Sequence, residues 1–318
     1  MCYSAQIWQA YQRYVRAWGA TVDMDEFVRL YWLREQGAKV RIAKAMDASF
    51  AEPRNEDERR IHAMIAAHDA AEASRLEQEV FRQRKRLADA ERALRGRTTK
   101  KALEDQRIAP AKIAWALGKL ADLRRTALED RDARIFPGWH APVMVAEGDR
   151  YVVRPMRYQC RPAGKPPSYD HRYPGTYNAR RDNLEGFWQP LFGYAHGLVV
   201  ASAFFENVSR HRAEGRELAD GEAESNVVLE FRPRPPQDML IACLWSRWQQ
   251  GDEVLYSFAA ITDEPPAEVA AAGHDRCIIP IKPANVAAWL RPEARDLAAQ
   301  YAILDDRARP YYEHRLAA

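Results

Sequence analysis

The chain has 318 residues, enough to bury one large or two modest hydrophobic cores, and it is 47% hydrophobic and 29% charged, as globular proteins are. No apolar run approaches the roughly 20 residues that span a bilayer, and no basic segment followed by an apolar one marks a secretory signal. The formal net charge of +3 is too small to predict nucleic-acid binding, which depends on how charge is distributed.

The cysteines lie far apart in the chain, and none of their spacings matches a metal site or a CxxC redox motif. They are Cys2, Cys160, Cys243 and Cys277. Such a distribution fits a reducing cytoplasm better than a disulfide framework. We therefore expect a cytoplasmic protein with no metal, no cofactor and no membrane partner.

The first 36 residues predict two helices. From Ser4 onwards the apolar residues recur at helical spacing, and Gly19 ends that stretch. One face of the first helix carries Ile7, Tyr11, Tyr14, Val15 and Trp18. Asp23 or Asp25 is then a suitable cap for a second helix. The apolar residues of that helix are Phe27, Leu30, Tyr31 and Leu33.

Residues 56–134 are rich in Ala, Glu, Arg, Lys and Leu and predict a long antiparallel helical hairpin that protrudes from the main body. Rough heptad spacing relates Ile61, Ile65, Leu76, Val80, Leu87 and Leu94. The segment 95–98 supplies a helix stop and a candidate for a new N-cap, and Pro110 is expected to end or kink the second helix. The mixed charges leave two interpretations open, a solvated face or a surface for DNA or a protein partner.

After Phe136 the pattern changes to short β-type segments separated by Pro and Gly. The predicted strands are Pro142–Val145, Tyr151–Arg154, Leu198–Ala201, Val227–Phe231, Met239–Trp245, Ser257–Thr262 and Cys277–Pro280. A closing helix is predicted from Asn285 to Leu290, and the remainder to about Arg315 reads as helical or irregular. The second half is therefore a mixed sheet domain, and the chain as a whole belongs to the α+β class.

Cysteine at position 2 indicates a specific chemistry. Methionine aminopeptidase removes Met1 when the next side chain is small, which exposes an α-amine and a thiol on adjacent carbons. Reference pKa values of about 7.7–8.0 for the amine and about 8.5 for the thiol put both groups near reactivity at neutral pH. An aldehyde forms an imine with the amine, and the thiol closes it to a thiazolidine. Taken alone, a cysteine at the second position is more often an inert residue.

Three motifs of the second half follow Cys2 in a recognisable order. They are Tyr177–Arg180 (Tyr-Asn-Ala-Arg), Ala203–Asn207 (Ala-Phe-Phe-Glu-Asn) and Gly273–Arg276 (Gly-His-Asp-Arg). Together these residues resemble the SRAP family, the SOS response-associated peptidases. That family opens with Met-Cys and carries Asn-Ala-Arg, a Gly-Phe-Tyr-Glu-Trp-like strand and a His-x-Arg motif. The resemblance covers residues 1 to about 20 and 136 to 292.

The resemblance implies a β-rich SRAP-like core with an inserted antiparallel helical hairpin. It divides the chain into an N-terminal catalytic segment (1–20), a helical region with the hairpin (21–135) and the remainder of the core (136–318). Two departures from the family pattern stand out. The chain opens Cys2-Tyr3-Ser4-Ala5 where the family has Cys-Gly-Arg-Phe, and Asn207 stands where Trp is usual.

The resemblance also implies catalytic roles for Cys2, Asn178, Glu206 and His274. Asn178 would orient the Cys2 amine, because a neutral amide cannot titrate. Glu206 would act as general acid and base, and His274 would polarise the sugar or move a proton. Read without the family, the same residues fit a turn asparagine, an edge-strand charge and a loop histidine.

DNA contacts are expected from arginines near these motifs, since guanidinium groups bind phosphate oxygens without reading sequence. Arg180 and Arg276 are the best candidates, and Arg154, Arg157 and Arg181 are weaker ones. The aromatic rings of Phe204, Phe205 and Trp188 either stack on bases beside the lesion or belong to the core.

The function that the resemblance implies is covalent capture of abasic sites in single-stranded DNA during the SOS response, in a nucleoid-associated cytoplasmic protein. The aldehyde of the opened deoxyribose would react with Cys2 to give a thiazolidine. Two alternatives stay open at this point. Cys2 could be the N-terminal nucleophile of a peptidase, although only Met1 precedes it here. The chain could also be a non-catalytic adaptor that binds a protein partner through the hairpin.

Overall fold

A computed structural model describes residues 4–294 and 296–317. Contacts between Cα atoms group these residues into two compact units. One unit contains the described parts of 1–30, 39–52 and 129–318, and the other contains 31–38 and 53–128.

Strands dominate the first unit, and the longest helices form the second. The strands are β1 Ser4–Ile7, β2 Thr21–Val22, β3 Arg41–Ile42, β4 Arg134–Ile135, β5 Trp139–Glu147, β6 Arg150–Tyr158, β7 Asn178–Arg180, β8 His196–Ser209, β9 Asn226–Arg234, β10 Met239–Gln250, β11 Glu253–Asp263, β12 Cys277–Ile278, β13 Pro280–Ile281 and β14 Tyr311–Leu316. The helices are α1 Tyr11–Trp18, α2 Met24–Glu35, α3 Lys44–Ala48, α4 Glu56–Gly96, α5 Lys100–Arg124, α6 Tyr169–Arg172, α7 Arg210–Ala213, α8 Ala267–Ala271, α9 Val286–Leu290 and α10 Leu297–Asp305. This mixture confirms the predicted α+β class.

Five long strands form a closed ring in the first unit. β5 pairs with β6 and β8, β8 pairs with β10, β10 pairs with β11, and β11 pairs in parallel with β6. Apolar side chains fill the core that these strands share, among them Phe204, Phe231 and Phe258, none of which has any exposed surface. Burial of such rings accounts for most of the stability of a sheet of this kind.

Two segments near the ends of the chain differ from the prediction. Ser4–Ile7 is a strand rather than the start of a helix, because β1 lies between β4 and β8 and pairs with both. Tyr311–Leu316 is a strand that pairs with β9, where helical or irregular structure was expected. In both segments long-range pairing outweighs local helical periodicity, as it commonly does in sheets. Likewise β2 and β3, from a region predicted to be helical, pair with β6 and β5.

The predicted boundary between the first two helices is confirmed. Gly19 ends α1 with a φ of 63°, a left-handed conformation that glycine adopts without steric cost. Asp23 precedes α2, and its Oδ1 accepts a hydrogen bond from the backbone N–H of Glu26 at 3.2 Å. Asp23 is therefore the cap, and Asp25 lies inside the helix.

The second unit contains the predicted hairpin of α4 and α5. Asn55 caps α4 by accepting from the Glu58 N–H, and Thr99 caps α5 by accepting from the Ala102 N–H. A buried cluster joins the helices through Leu76, Val80, Ala116 and Leu120. Pro110 does not end α5, which is helical on both sides of it and packs on α4 through Ala102, Ala109, Ala116 and Leu120. The helical part ends at Arg124, earlier than predicted.

His196 holds the start of β8 against α9 as a neutral imidazole. Its Nε2 accepts from the Gly193 N–H at 2.8 Å, and its Nδ1 donates to the Trp289 carbonyl at 2.9 Å. The imidazole also stacks on the Trp289 ring, with centroids 3.9 Å apart. Burial lowers the pKa of His196 to about 3, since a second proton would have no acceptor.

This arrangement predicts acid-sensitive stability. The folded-state pKa of His196 is lower than the unfolded one, so its contribution is complete above about pH 6.5 and is lost as the pH falls toward about 3. We expect His196 to account for a loss of about 2–3 kcal/mol in the free energy of unfolding between about pH 7.5 and 4.5. Urea unfolding should show a smaller loss for His196→Gln than for the natural chain. The same substitution at the exposed His171 is the control, and an equal pH dependence in all three proteins would contradict the prediction.

Candidate active site

Glu206 is a carboxylate buried in the apolar core of the first unit. It lies near the end of β8, where Phe205 pairs with Ser4 of β1 and Glu206 itself pairs with Leu229 of β9. Because side chains alternate along a strand, Glu206 shares its face with the core residues Phe204 and Val208. Its exposed fraction is 0%. The edge-strand interpretation is therefore wrong for this residue, and burial penalises its charged form.

His274 lies directly against this carboxylate. Its Nε2 is 3.2 Å from Glu206 Oε2, and the imidazole is also buried. On the other side of the ring, Nδ1 is 2.8 Å from the Arg276 carbonyl. A carbonyl oxygen only accepts, so this contact requires a hydrogen on Nδ1. The structure thus joins two residues that are 68 positions apart in the sequence.

The separation of 3.2 Å between Nε2 and Oε2 lets a proton pass between the two groups. With Nδ1 carrying its own hydrogen, Nε2 and Oε2 form either a neutral imidazole with a carboxylic acid or an imidazolium with a carboxylate. Burial lowers the pKa of His274, which favours the neutral imidazole. A buried carboxylic acid against a neutral histidine can both donate and accept a proton, as general acid–base chemistry requires.

A tight turn brings His274 to the surface of a pocket. Gly273 has a φ of 93°, and a Cβ at this position would lie 2.8 Å from the Cβ of Arg212. Glycine therefore permits both the left-handed turn and the close approach of Arg212. The pocket beside this turn has a volume of about 490 Å³, and its lining includes Arg212, His274 and Asp275. His274 thus connects an open pocket to the buried carboxyl group.

Asn178 is the first residue of β7 and is 6% exposed. Both polar atoms of its side chain, Nδ2 and Oδ1, are buried without a hydrogen-bond partner among the described residues. An amide left in this state costs free energy unless something binds it. The structure gives no direct contact between Asn178 and either Glu206 or His274.

Strand β11 arranges the two motifs that contain Asn178 and His274. It pairs with β7 on one side and with β12 on the other, and Thr262 is the partner of both Arg180 and Ile278. Strands are spaced by about 4.8 Å, so these two partners are about 10 Å apart. Charges after the strands interact across this gap, with Arg180 near Asp275 and Asp182 near Arg276. β11 therefore places the Asn-Ala-Arg motif beside the histidine turn.

The five candidate DNA-binding arginines differ in what they contact. Arg154 is buried and bridges Asp23 and Glu147, at 2.7 and 2.8 Å. Arg157 bonds Asp170 at 2.8 Å, and Arg181 bonds Asp263 and Asp305 at 3.2 and 2.6 Å. These contacts give the three residues a structural role.

Arg180 and Arg276 are more accessible. The Arg180 side chain is 47% exposed and is paired with Asp182, two residues later in the chain. Arg276 is half-buried, and its guanidinium forms no ion pair among the residues that the structure describes. The exposed Arg212 of α7, beside Gly273, is a third cation of this kind, which sequence reasoning missed because it lies outside every motif.

The aromatic residues proposed to stack on bases lie in the core. Phe204 is fully buried against Phe231, with parallel rings 5.0 Å apart. Phe205 and Trp188 are 6% and 3% exposed. Their surfaces are already covered by protein, so the core interpretation is the correct one.

Cys2 lies outside the described residues, as does Tyr3. Ser4 is fully buried, and its Oγ accepts a hydrogen bond from Arg134 Nε at 2.9 Å. The Arg134 guanidinium lies over the Phe205 ring, 3.7 Å from its centroid. The other cysteines are buried, and burial raises the thiol pKa of each. For Cys160 the pKa rises to about 12, and the pKa values of Cys243 and Cys277 are also raised.

Within residues 4–294 and 296–317, no group of three or more His, Cys, Asp or Glu side chains is placed to hold a metal ion. None of the described helices is both long enough and apolar enough to span a membrane.

Comparison with known proteins places the chain in a family. A family model described as SOS response associated peptidase (SRAP) matches residues 96–317, which is 222 of the 318 residues. The chain therefore belongs to the SRAP family, as the motifs predicted. Membership supports, in general terms, DNA-damage-associated processing of abasic sites and binding to DNA. No curated protein matches the chain.

Three solved structures are similar to this chain, each over 58% of its length. A protein from Bordetella bronchiseptica has 17% identity and a TM-score of 0.45, with 87% of its own length covered. A protein from Bacteroides thetaiotaomicron has 14% identity, a TM-score of 0.45 and 77% coverage. A phage-related protein from Bordetella bronchiseptica has 19% identity, a TM-score of 0.43 and 80% coverage.

Proposed function

We propose that this protein captures abasic sites in single-stranded DNA through a thiazolidine formed by the amine and thiol of Cys2. The observation that carries the proposal is the buried pair of Glu206 and His274, joined at 3.2 Å beside an open pocket. A carboxyl group and an imidazole buried against each other are costly to maintain, and such pairs concentrate at functional sites. Family membership supplies the class of substrate.

Chain connectivity supports a reactive group close to this pair. Ser4, where the described part of the chain begins, pairs with Phe205, the residue before Glu206. The described part of the chain therefore begins beside the residue that precedes Glu206 in β8.

The buried thiols also favour Cys2. A thiolate is the reactive form of cysteine, and burial holds the other three cysteines in the protonated form. An N-terminal thiol would have the additional advantage of an amine on the neighbouring carbon. In this proposal the unpartnered amide of Asn178 binds that amine, which provides the hydrogen-bond partner that its carbonyl lacks in the described structure.

The proposed reaction begins with opening of the deoxyribose ring. Glu206 gives a proton to the ring oxygen while the C1′ hydroxyl passes its own proton to Nε2 of His274, and the imidazolium that results stabilises the Glu206 carboxylate. The Cys2 amine then attacks the C1′ aldehyde, and loss of water gives the imine. Finally the thiol sulfur bonds to the imine carbon while its proton passes to the nitrogen, which closes the thiazolidine. Arg212 lines the pocket, Arg276 follows its lining residue Asp275, and the two would hold the phosphates on either side of the lesion.

The proposal is tested with the purified full chain after intact-mass measurement has established loss of Met1. The chain is mixed with a single-stranded oligonucleotide whose uracil has been removed by a uracil glycosylase. We expect a band of low mobility that survives heating, and no such band with the uracil-free control strand. A mature protein that binds the abasic strand yet forms no covalent product would contradict the proposal.

A further inference from the structure

The charge of the hairpin is concentrated at one end. Residues 81–112, here called the hairpin tip, contain eleven Arg and Lys against four Asp and Glu, a net charge of +7. The rest of the hairpin, 56–80 and 113–128, contains six Arg and Lys against eight Asp and Glu, a net charge of −2. The tip thus carries a larger net charge than the +3 of the whole chain. Keeping a helix surface solvated does not require its positive charge to be concentrated at one end.

Most of the positive charge at the tip is not neutralised within the hairpin. Three of its four acids are occupied, Asp89 by Arg92 at 3.2 Å, Glu104 by Arg107 at 4.0 Å and Asp105 by Arg86. Seven further cations of the tip are exposed and form no ion pair among the described residues: Arg84, Lys85, Arg95, Arg97, Lys100, Lys101 and Lys112.

Two of these cations are placed where they weaken the helix that carries them. Lys100 and Lys101 are the first residues of α5, whose first turn contains no acidic residue. The helix dipole is positive at this end, so acidic side chains stabilise the helix here and cationic side chains destabilise it. Helix stability therefore does not explain these lysines. Binding to an anionic partner explains why lysines occupy these positions.

The shape of the tip suits such a partner. A pocket of about 430 Å³ lies between α4 and α5, and its lining includes Lys85, Thr99 and Lys101. The N-terminus of α5 opens at the same place, and backbone N–H groups at a helix N-terminus bind phosphate oxygens.

We infer that the hairpin tip is a second nucleic-acid surface, which binds the phosphate backbone of DNA without reading its sequence. The tip neutralises phosphates with flexible lysines and arginines, so its binding releases counterions and depends steeply on salt. This inference requires no reaction at Cys2 and is independent of the proposed function.

The test measures binding of the full chain to fluorescein-labelled duplex DNA that has no abasic site. Fluorescence anisotropy gives the affinity at several salt concentrations between about 50 and 200 mM. We expect Lys100→Gln with Lys101→Gln to weaken binding at least roughly fivefold and to lower the salt slope by about 0.9 for each phosphate that the variant leaves without a cation. Arg60→Gln with Lys119→Gln removes two exposed cations from the other end of the hairpin, neither of them in an ion pair among the described residues, and should leave both quantities unchanged.

Folding is checked by the thermal midpoint, which should rise in the Lys100→Gln, Lys101→Gln variant because two cations leave a helix N-terminus. Arg95→Gln with Arg97→Gln provides a second tip variant and should weaken binding similarly. Unchanged affinity in both tip variants, or an equal loss of affinity in the control, would overturn the inference. Crosslinking to an abasic strand at saturating protein should be the same in all variants. The binding experiment therefore tests the hairpin tip, and the crosslinking experiment tests the Cys2 proposal.

Discussion

Replacing Cys2 by Ala is expected to abolish the heat-stable product with an abasic strand. The thiazolidine needs both the amine and the thiol, and Ala keeps only the amine. The variant should still form the imine, which water reverses on heating and which borohydride reduces to a permanent bond. The expected result is therefore a band that appears only when borohydride is added. Denaturing electrophoresis with and without the reductant measures both states.

The borohydride lane serves as the internal control for this experiment. It shows that the variant still binds the abasic strand and still presents its amine, so a missing heat-stable band is due to the missing sulfur. The buried thiols of Cys160, Cys243 and Cys277 cannot substitute, because burial raises their pKa values. A heat-stable band of equal intensity from Cys2→Ala would show that another chemistry forms the product.

Glu206→Gln should slow formation of the product by about 10²–10⁴-fold at pH 7, the usual contribution of a positioned general acid or base. Glutamine has nearly the same size as glutamate, and its amide can still donate to His274 Nε2. It cannot give up or take a proton. Because the variant also removes an acid buried in an apolar core, its thermal stability should be equal or higher. Single-turnover kinetics with excess protein would measure the rate, and thermal unfolding would separate chemistry from folding.

His274→Gln supplies the second half of this experiment. The two groups lie 3.2 Å apart and act as one unit in the proposed reaction, so the double variant should be no slower than the slower single variant. Rates that multiply instead, or a Glu206→Gln variant that reacts as fast as the natural chain, would contradict the assignment of Glu206 as the proton donor.

Local patterns predicted much of the fold correctly. Alternating apolar residues placed the strands now seen as β5, β6, β8, β9, β10 and β11, and Gly19 marked the end of α1. The Ala- and Glu-rich composition predicted the hairpin. These features depend on interactions within a few residues, which a sequence displays directly. β1 and β14 were missed because strands at the ends of a chain depend on distant partners, here β8 and β9.

For the candidate site as well, some features were predicted from the sequence and others were decided by the tertiary structure. The amino-acid sequence by itself determined the family, the order of Cys2, Asn178, Glu206 and His274, and the separation of charge along the hairpin. Only the tertiary structure decided that Glu206 is fully buried, that His274 lies against it at 3.2 Å, and that Phe204 and Phe205 belong to the core. Strand pairing between residues far apart in the chain sets these positions. Distance and burial follow from that pairing, and no local pattern encodes either one.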